Sequence, residues 1–179
     1  DIETINLELI FADMETLERR IDKTAKLAKS DKSLAASLDV YNKVYAVLSE
    51  GRTARCAELD EDEKAIIDEA GLLTMKPVIY AANVSEDEAA GVSPDNAYYK
   101  AVCEAAKAEG AQVIPVCAGI EAEIAELEPE EKAEFLADMG IEESGLDKLI
   151  TAGYSLLGLI SFLTAGPKEV RAWTIRRGT

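Results

Sequence analysis

Two short apolar runs separated by one amphipathic helix constrain the fold of this chain more than any other feature. The first, Lys76-Pro77-Val78-Ile79-Tyr80-Ala81-Ala82, stops abruptly at Asn83-Val84-Ser85-Glu86, and the second is Gln112-Val113-Ile114-Pro115-Val116-Cys117. Between them Ser93-Pro94 has the form of an N-cap and first helical residue, Tyr98, Val102, Ala105 and Ala106 share one helical face, and Gly110 stands where the helix ends. Strand, helix and strand within about 42 residues predict a βαβ unit. Its crossover is right-handed by a strong rule, and its strands are parallel with their C-terminal ends on one edge. Pro115 cannot donate to a ladder, which places the second strand near a sheet edge. Open α/β sheets bind ligands outside the C-terminal ends of their strands, so the candidate site is Asn83, Val84, Ser85 and Glu86 beside Cys117, Ala118 and Gly119.

Upstream, residues 2 to about 29 contain neither Gly nor Pro, and Leu7, Ile10, Met14, Leu17 and Ile21 recur at alternating steps of three and four. That is a heptad seam, continued weakly by Thr24 and Ala28, on a helix about 40 Å long at about 1.5 Å per residue. Ser30-Asp31-Lys32-Ser33 supplies a turn, and Leu34, Leu38, Tyr41, Tyr45 and Leu48 repeat the alternation until Gly51. Two seams joined by so short a turn pack antiparallel, so residues 1–56 are expected to form a projecting helical hairpin. Tyr41 and Tyr45 belong to the seam, their hydroxyls reaching water at its edge. Two readings of the hairpin stay open, an internal prop and a partner-binding arm. Arg19, Arg20, Lys23, Lys26 and Lys29 make its distal part basic, either as a solvated face or as a surface for a phosphate-rich partner.

Asp60-Glu61-Asp62-Glu63 caps a short helix carrying Ile66 and Ile67, since acidic residues are favoured in a first turn by the helix dipole. A calcium loop starting at Asp60 fails, because Ala65 replaces the sixth-position glycine and Gly71 the twelfth-position glutamate. Residues 121–143 carry ten acidic side chains and one base, Lys132. Ile124, Leu127, Phe135, Leu136 and Met139 recur there at helical spacing, Pro129 and Gly140 divide the run, and the glutamate-rich face reads as solvated rather than metal-binding. Ser144 caps a last helix whose Leu146, Leu149, Ile150, Tyr154 and Leu157 are expected to face inward. Leu159–Thr164 and Glu169–Ile175 are strand-like runs around Ala165-Gly166-Pro167. The fold class is α/β, with residues 57–157 as a domain containing the βαβ unit and residues 158–179 as the opening hairpin of another small β-containing domain. The chain begins at Asp1 inside a helical pattern and stops just after a strand-like run, so both ends are expected to be cut.

Composition narrows the function classes. With 179 residues, 48% of them hydrophobic, the chain can bury a sizeable core. Nineteen basic against thirty-five acidic side chains give a formal charge of -16, which opposes general attraction to nucleic acid or to an anionic membrane; nothing signals DNA specificity. Between Gly166 and Thr179 the balance reverses to four basic residues against one acidic. Arg171, Arg176 and Arg177 are there either candidate RNA or ribosome contacts or plain solvent-facing residues. Cys56, Cys103 and Cys117 are odd in number and form no C-x-x-C, so neither a disulfide framework nor a zinc site is indicated, and a reducing, cytoplasmic compartment fits. No segment resembles a signal peptide, and the apolar run near Leu156–Leu163 is too short and too broken by Gly158 and Ser161 to span a bilayer.

A nucleotide base is the ligand that best explains an amide followed by a carboxylate at the end of a parallel strand. The Asn83 amide presents both a donor and an acceptor, which suits a purine. In guanine sites of the N-K-x-D kind the aspartate accepts from the ring N–H and the exocyclic amine. Adenine lacks both donors at those positions, so an inward carboxylate is left unpaired at a cost of about 1–3 kcal/mol. Here Val84 replaces the lysine and Glu86 the aspartate, which weakens the case for guanine. Taken alone, N-x-x-E is a weak signal; its position raises it.

The surrounding blocks raise it further. Asp1–Leu9 (DIETINLEL), Lys76–Asn83 (KPVIYAAN), Ile120–Leu127 (IEAEIAEL), Ala133–Leu136 (AEFL), Glu143–Leu146 (ESGL) and Phe162–Ile175 (FLTAGPKEVRAWTI) together resemble the YchF-type Obg-like ATPases over essentially the whole chain. The resemblance implies part of a P-loop NTPase G domain, an inserted coiled-coil hairpin and the start of a TGS domain. It also implies a translation-associated ATPase that prefers ATP over GTP, uses magnesium, and associates with ribosome or RNA. Asn83–Glu86 is then the altered base-recognition motif. The second base-side loop, often a serine-alanine-lysine type sequence, reads Cys117-Ala118-Gly119, so no lysine covers the base, although backbone N–H groups remain for it.

No G-x-x-x-x-G-K-[ST] occurs in the 179 residues, and no D-x-x-G precedes the hairpin. Phosphoryl transfer needs such a loop to position and neutralise the triphosphate. Base contacts alone, worth a few kcal/mol, support at best about millimolar affinity, and the chain has no histidine. The chain by itself is therefore expected not to hydrolyse nucleotide, to contain no catalytic residue and no metal site, and to contribute the base-recognition loops to a longer ATPase. The competing reading is a non-enzymatic interaction module that docks through the hairpin and the basic C-terminal segment.

Overall fold

The computed structural model describes residues 2–178 and divides into two compact units, residues 1–77 and 78–179. In the first, α1 (Ile2–Ala28) and α2 (Ala35–Ser49) form the antiparallel hairpin and α3 (Glu61–Asp68) packs on α2. Asp31 caps the turn by accepting the Ser33 N–H at 2.9 Å, and Asp60 and Glu63 form a reciprocal capping box at the start of α3. Ile10, Leu17, Val40, Tyr41, Val44, Leu48, Ala54, Ile67, Ala70 and Leu72 make the core, with Met14, Ile21 and Tyr45 against it. Burial of each large aliphatic side chain contributes about 1.5–3 kcal/mol.

The heptad reading is right in register and too narrow in width. Leu7 is exposed, so the buried seam of α1 starts at Ile10, and Val40 and Val44 join Tyr41 and Leu48 on α2. A third element, α3 with its flanking loops, covers α2, so its apolar stripe is that of a globular helix rather than an a/d seam. Tyr41 is buried, while the Tyr45 hydroxyl, at the exposed edge of the seam, also donates to the Glu18 carboxylate. Asp13 lies inside the seam, 2% exposed. Its carboxylate accepts from the Leu73 N–H, the Thr74 N–H and the Thr74 hydroxyl, each at 2.7 Å.

In the second unit β1 (Ile79–Asn83), α4 (Ala97–Glu109) and β2 (Gln112–Val116) form the expected parallel βαβ unit, in a register that pairs Ile79 with Gln112 and Asn83 with Val116. Then follow α5 (Ala118–Ile124), α6 (Pro129–Asp138) and α7 (Gly145–Leu156), and an antiparallel pair of β3 (Leu159–Ala165) and β4 (Val170–Arg176). Val84, Cys117, Ile120, Ile124, Leu136 and Ile141 form its buried cluster. Among the described residues no helix is long and apolar enough to cross a membrane.

Two expectations change here. Ser93-Pro94 makes a turn, not the start of α4: the Ser93 hydroxyl accepts from the Asp95 N–H, and Asn96 is the cap, accepting the Tyr99 N–H at 2.9 Å. Tyr99 packs inward, whereas Tyr98 is 87% exposed. On α7 the stripe Leu146, Leu149, Ile150, Tyr154 and Leu157 is exposed, and Gly145 and Ala152 are the buried positions. Periodicity identified an apolar face but not a layer to cover it. The β3–β4 pair is likewise exposed along both strands; Phe162 pairs with Trp173, whose indole N–H donates to the Thr164 hydroxyl at 2.9 Å.

Candidate functional site at the strand ends

Parallel pairing in this register brings the residues after β1 against those after β2. The Val84 N–H donates to the Val116 carbonyl at 2.9 Å, extending the ladder by one bond. The Ala118 N–H donates to the Asn83 side-chain oxygen at 3.1 Å, so the amide of one loop holds the backbone of the other. Glu86 opens a single 3₁₀ turn, Glu86–Glu88, and its Oε1 lies 3.3 Å from where a Cβ on Gly119 would stand. The absence of a side chain at residue 119 thus leaves room for the Glu86 carboxylate. Asn83, Ser85, Glu86, Ala118 and Gly119 are exposed, whereas Val84 and Cys117 are buried beneath them. All seven sequence candidates for the base site converge on one edge.

Two consequences follow for the chemistry. The Asn83 oxygen is engaged by Ala118, which leaves the Nδ2 donors as what that side chain can offer, and a donor suits the ring-nitrogen acceptor shared by adenine and guanine. The expectation that backbone N–H groups of the second loop are offered to the base is narrowed, because the Ala118 N–H is already spent on Asn83.

Three supports escaped sequence reading. Glu88 accepts the Ser93 N–H at 3.1 Å and the Asn96 side-chain N–H at 2.8 Å, fastening the loop that follows Glu86. Glu121, on α5 just past the second loop, accepts the Gly145 N–H at 2.6 Å and the Leu146 N–H at 3.3 Å. A Cβ on Gly145 would fall 2.8 Å from Val116 Cγ1, so that glycine is required by close approach. The Ser144 hydroxyl hydrogen-bonds Asp147, and together with Lys132 it holds the Asp147 carboxyl below the ordinary carboxylate range. In the sequence these carboxylates are indistinguishable from their solvated neighbours.

The basic C-terminal residues are distributed along the outer strand pair. Arg171 pairs with Glu169 at 2.9 Å, and the Arg177 backbone N–H donates to the Gly158 carbonyl at 2.7 Å. Both side chains are exposed, as is that of Arg176 at the end of β4. Among the described residues no group of three or more His, Cys, Asp or Glu is arranged to hold a metal ion.

No protein-family profile matches the chain. Its relatives are nonetheless unambiguous: it is 52% identical over 179 residues to the ribosome-binding ATPase YchF of Bacillus subtilis (strain 168), covering 99% of this chain and 49% of that protein. It is 50% identical over 179 residues to the protein of the same name from Haemophilus ducreyi (strain 35000HP / ATCC 700724), covering 99% of this chain and 48% of that relative. Among solved structures, the YchF GTPase of Schizosaccharomyces pombe matches with a TM-score of 0.84 at 30% identity, covering all of this chain and 49% of that one. The fold is therefore α/β with a P-loop NTPase as its structural neighbour. Along its whole length the chain is a homologue of the YchF-type Obg-like ATPases, and it spans about half the length of the curated relatives it matches.

Proposed function

We propose that these residues form the base-side portion of a longer, translation-associated P-loop ATPase that prefers ATP over GTP. Of Asn83, Val84, Ser85 and Glu86 on one side of adenine and Cys117, Ala118 and Gly119 on the other, Val84 and Cys117 form the buried floor and the remaining five bracket the base. The observation that carries this reading is the bond from the Ala118 N–H to the Asn83 oxygen, with Glu86 overhanging Gly119. It joins two loops that are 35 residues apart into one edge. Residues 1–56 are assigned as the inserted hairpin domain, 57–157 as the G-domain portion and 158–179 as the start of a TGS domain. Triphosphate and magnesium are assigned to residues outside this sequence, so this chain alone does not turn over ATP. The ribosome is the proposed partner in the cytoplasm, on the strength of the relatives' names, and Arg171, Arg176 and Arg177 are its proposed contacts.

ATP and GTP titrations of the longer protein carrying Asn83→Ala test the site. Loss of the loop-to-loop bond and of the base donor is expected to weaken ATP binding by about tenfold or more, equivalent to about 1.4 kcal/mol. Unchanged ATP affinity would sink the assignment. Glu86→Asp is expected to raise GTP tolerance, by drawing the carboxylate back toward the position it holds in a guanine site.

A further inference from the structure

The N-terminal turn of α7 is tied to the second base-side loop by one carboxylate. Glu121 lies two residues beyond Gly119, on the first turns of α5. Its Oε1 accepts the Gly145 N–H at 2.6 Å and its Oε2 the Leu146 N–H at 3.3 Å. A carboxylate receiving two backbone N–H groups at a helix start is a charge-assisted clamp, because the donors are otherwise unpaired and the dipole there favours negative charge. Gly145 is also seated on the Val116 side chain, with no room for a Cβ. The Val116 carbonyl in turn receives the Val84 N–H, and Asn83 receives that of Ala118. One connected set of contacts thus runs from α7 through Glu121 and Val116 into both loops.

We infer that Glu121 is a positioning residue for nucleotide binding: it does not touch the base but fixes the start of α5, and with it Cys117-Ala118-Gly119, at the spacing that Asn83 and Glu86 require. This rests on the base-site reading above. An isolated acidic side chain on a solvated face would have no such effect, and that is what the composition of residues 121–143 suggests for most of its neighbours.

Glu121→Gln in the longer protein separates these cases, because it keeps the shape but turns an amide N–H₂ against at least one of the two backbone donors. ATP affinity is expected to fall about tenfold with kcat at saturation unchanged, and amide hydrogen exchange at Ala118 and Gly119 is expected to accelerate. Glu134→Gln, which removes an equal charge from an exposed position on α6, is expected to leave affinity within about twofold, because a solvated carboxylate holds no backbone donor in place. Asn83→Ala serves as the reference. If it weakens ATP binding while Glu121→Gln does not, the clamp is refuted and the base site stands. If Asn83→Ala itself has no effect, the base-site reading fails. A uniform rise in exchange at every protected amide after Glu121→Gln, or equal loss of affinity in Glu134→Gln, also overturns the positioning role, since the first shows a general loss of stability and the second a mere effect of net charge.

Discussion

Replacing Asp13 by alanine removes an acceptor that three donors share inside the first unit. The carboxylate is 2% exposed and takes the Leu73 N–H, the Thr74 N–H and the Thr74 hydroxyl at 2.7 Å each. The Thr74 oxygen accepts the Ala54 N–H at 2.9 Å, so the same carboxylate orients the residue that ties two loop segments together. A buried donor left unpaired costs about 1–3 kcal/mol. The Leu73 N–H is only partly buried and the Thr74 hydroxyl can rotate, which leaves the Thr74 N–H as the donor that is fully stranded. Alanine returns about half a kcal/mol in helix propensity. The net loss is then about 0.5–2.5 kcal/mol, and with a urea slope of about 1 kcal/mol/M for so small a unit the midpoint falls by about 0.5–2.5 M. Far-UV circular dichroism follows the helices of both units, whereas the single tryptophan, Trp173, reports on residues 78–179 alone, so a helical transition that the tryptophan does not share belongs to residues 1–77. The expected result is an early helical transition with the tryptophan transition in place. Asp13→Asn is expected to lose as much, because its amide faces donors with a donor. A shift below about 0.5 M in the alanine variant, where the loss falls short of a single stranded donor, would refute the account.

The two apolar surfaces of the second unit are expected to respond in opposite ways. Ile124→Ala, in the buried cluster, should cost about 2–5 kcal/mol, whereas Leu157→Ser, on the exposed stripe of α7, should change stability by less than about 0.5 kcal/mol; chemical denaturation followed through Trp173 measures both. Tyr45 supplies a pH test. Its hydroxyl donates to Glu18, which chiefly raises the phenol pKa above its ordinary value. The contact favours the protonated phenol, so its contribution is complete below the unfolded value of about 10 and is lost as pH rises through the higher folded value. The stability gap between the native chain and Tyr45→Phe, read from thermal midpoints across alkaline pH, is therefore expected to close over that window.

The elements that the sequence reveals are those whose partners lie nearby in the chain. The βαβ unit is legible because two apolar runs and a Gly-terminated helix admit one parallel arrangement, and the hairpin because its two seams share a short turn. The α7 stripe misleads for the complementary reason: Leu146, Leu149, Ile150, Tyr154 and Leu157 have helical spacing, yet what covers a face depends on elements far away in sequence, and the described residues of the second unit leave the stripe exposed. Ser93-Pro94 fails differently. Both it and Asn96 are competent helix starts by local chemistry, and Glu88, reaching from the preceding turn, decides between them by binding Ser93 and Asn96 together.

The candidate site divides along the same line. Asn83, Glu86 and Cys117-Ala118-Gly119 could be placed together from topology alone, since parallel strands deliver their C-terminal ends to one edge. The carboxylates that organise this edge could not, because their signal is a backbone N–H and backbone N–H groups leave no mark on a sequence. Glu88 and Glu121, like Asp13 in the first unit, each read as one more acid in a chain of formal charge -16, although each accepts a main-chain donor from a segment distant in sequence or across a loop. The distinction matters for how such a chain tolerates change. Neutralising a solvated glutamate relieves like-charge repulsion, whereas neutralising one that holds two amides leaves those amides unpaired. Charge-reducing substitutions among residues 121–143 should therefore be nearly silent at Glu130 or Glu134, which are exposed, and costly at Glu121, which has the same composition around it and a different partner.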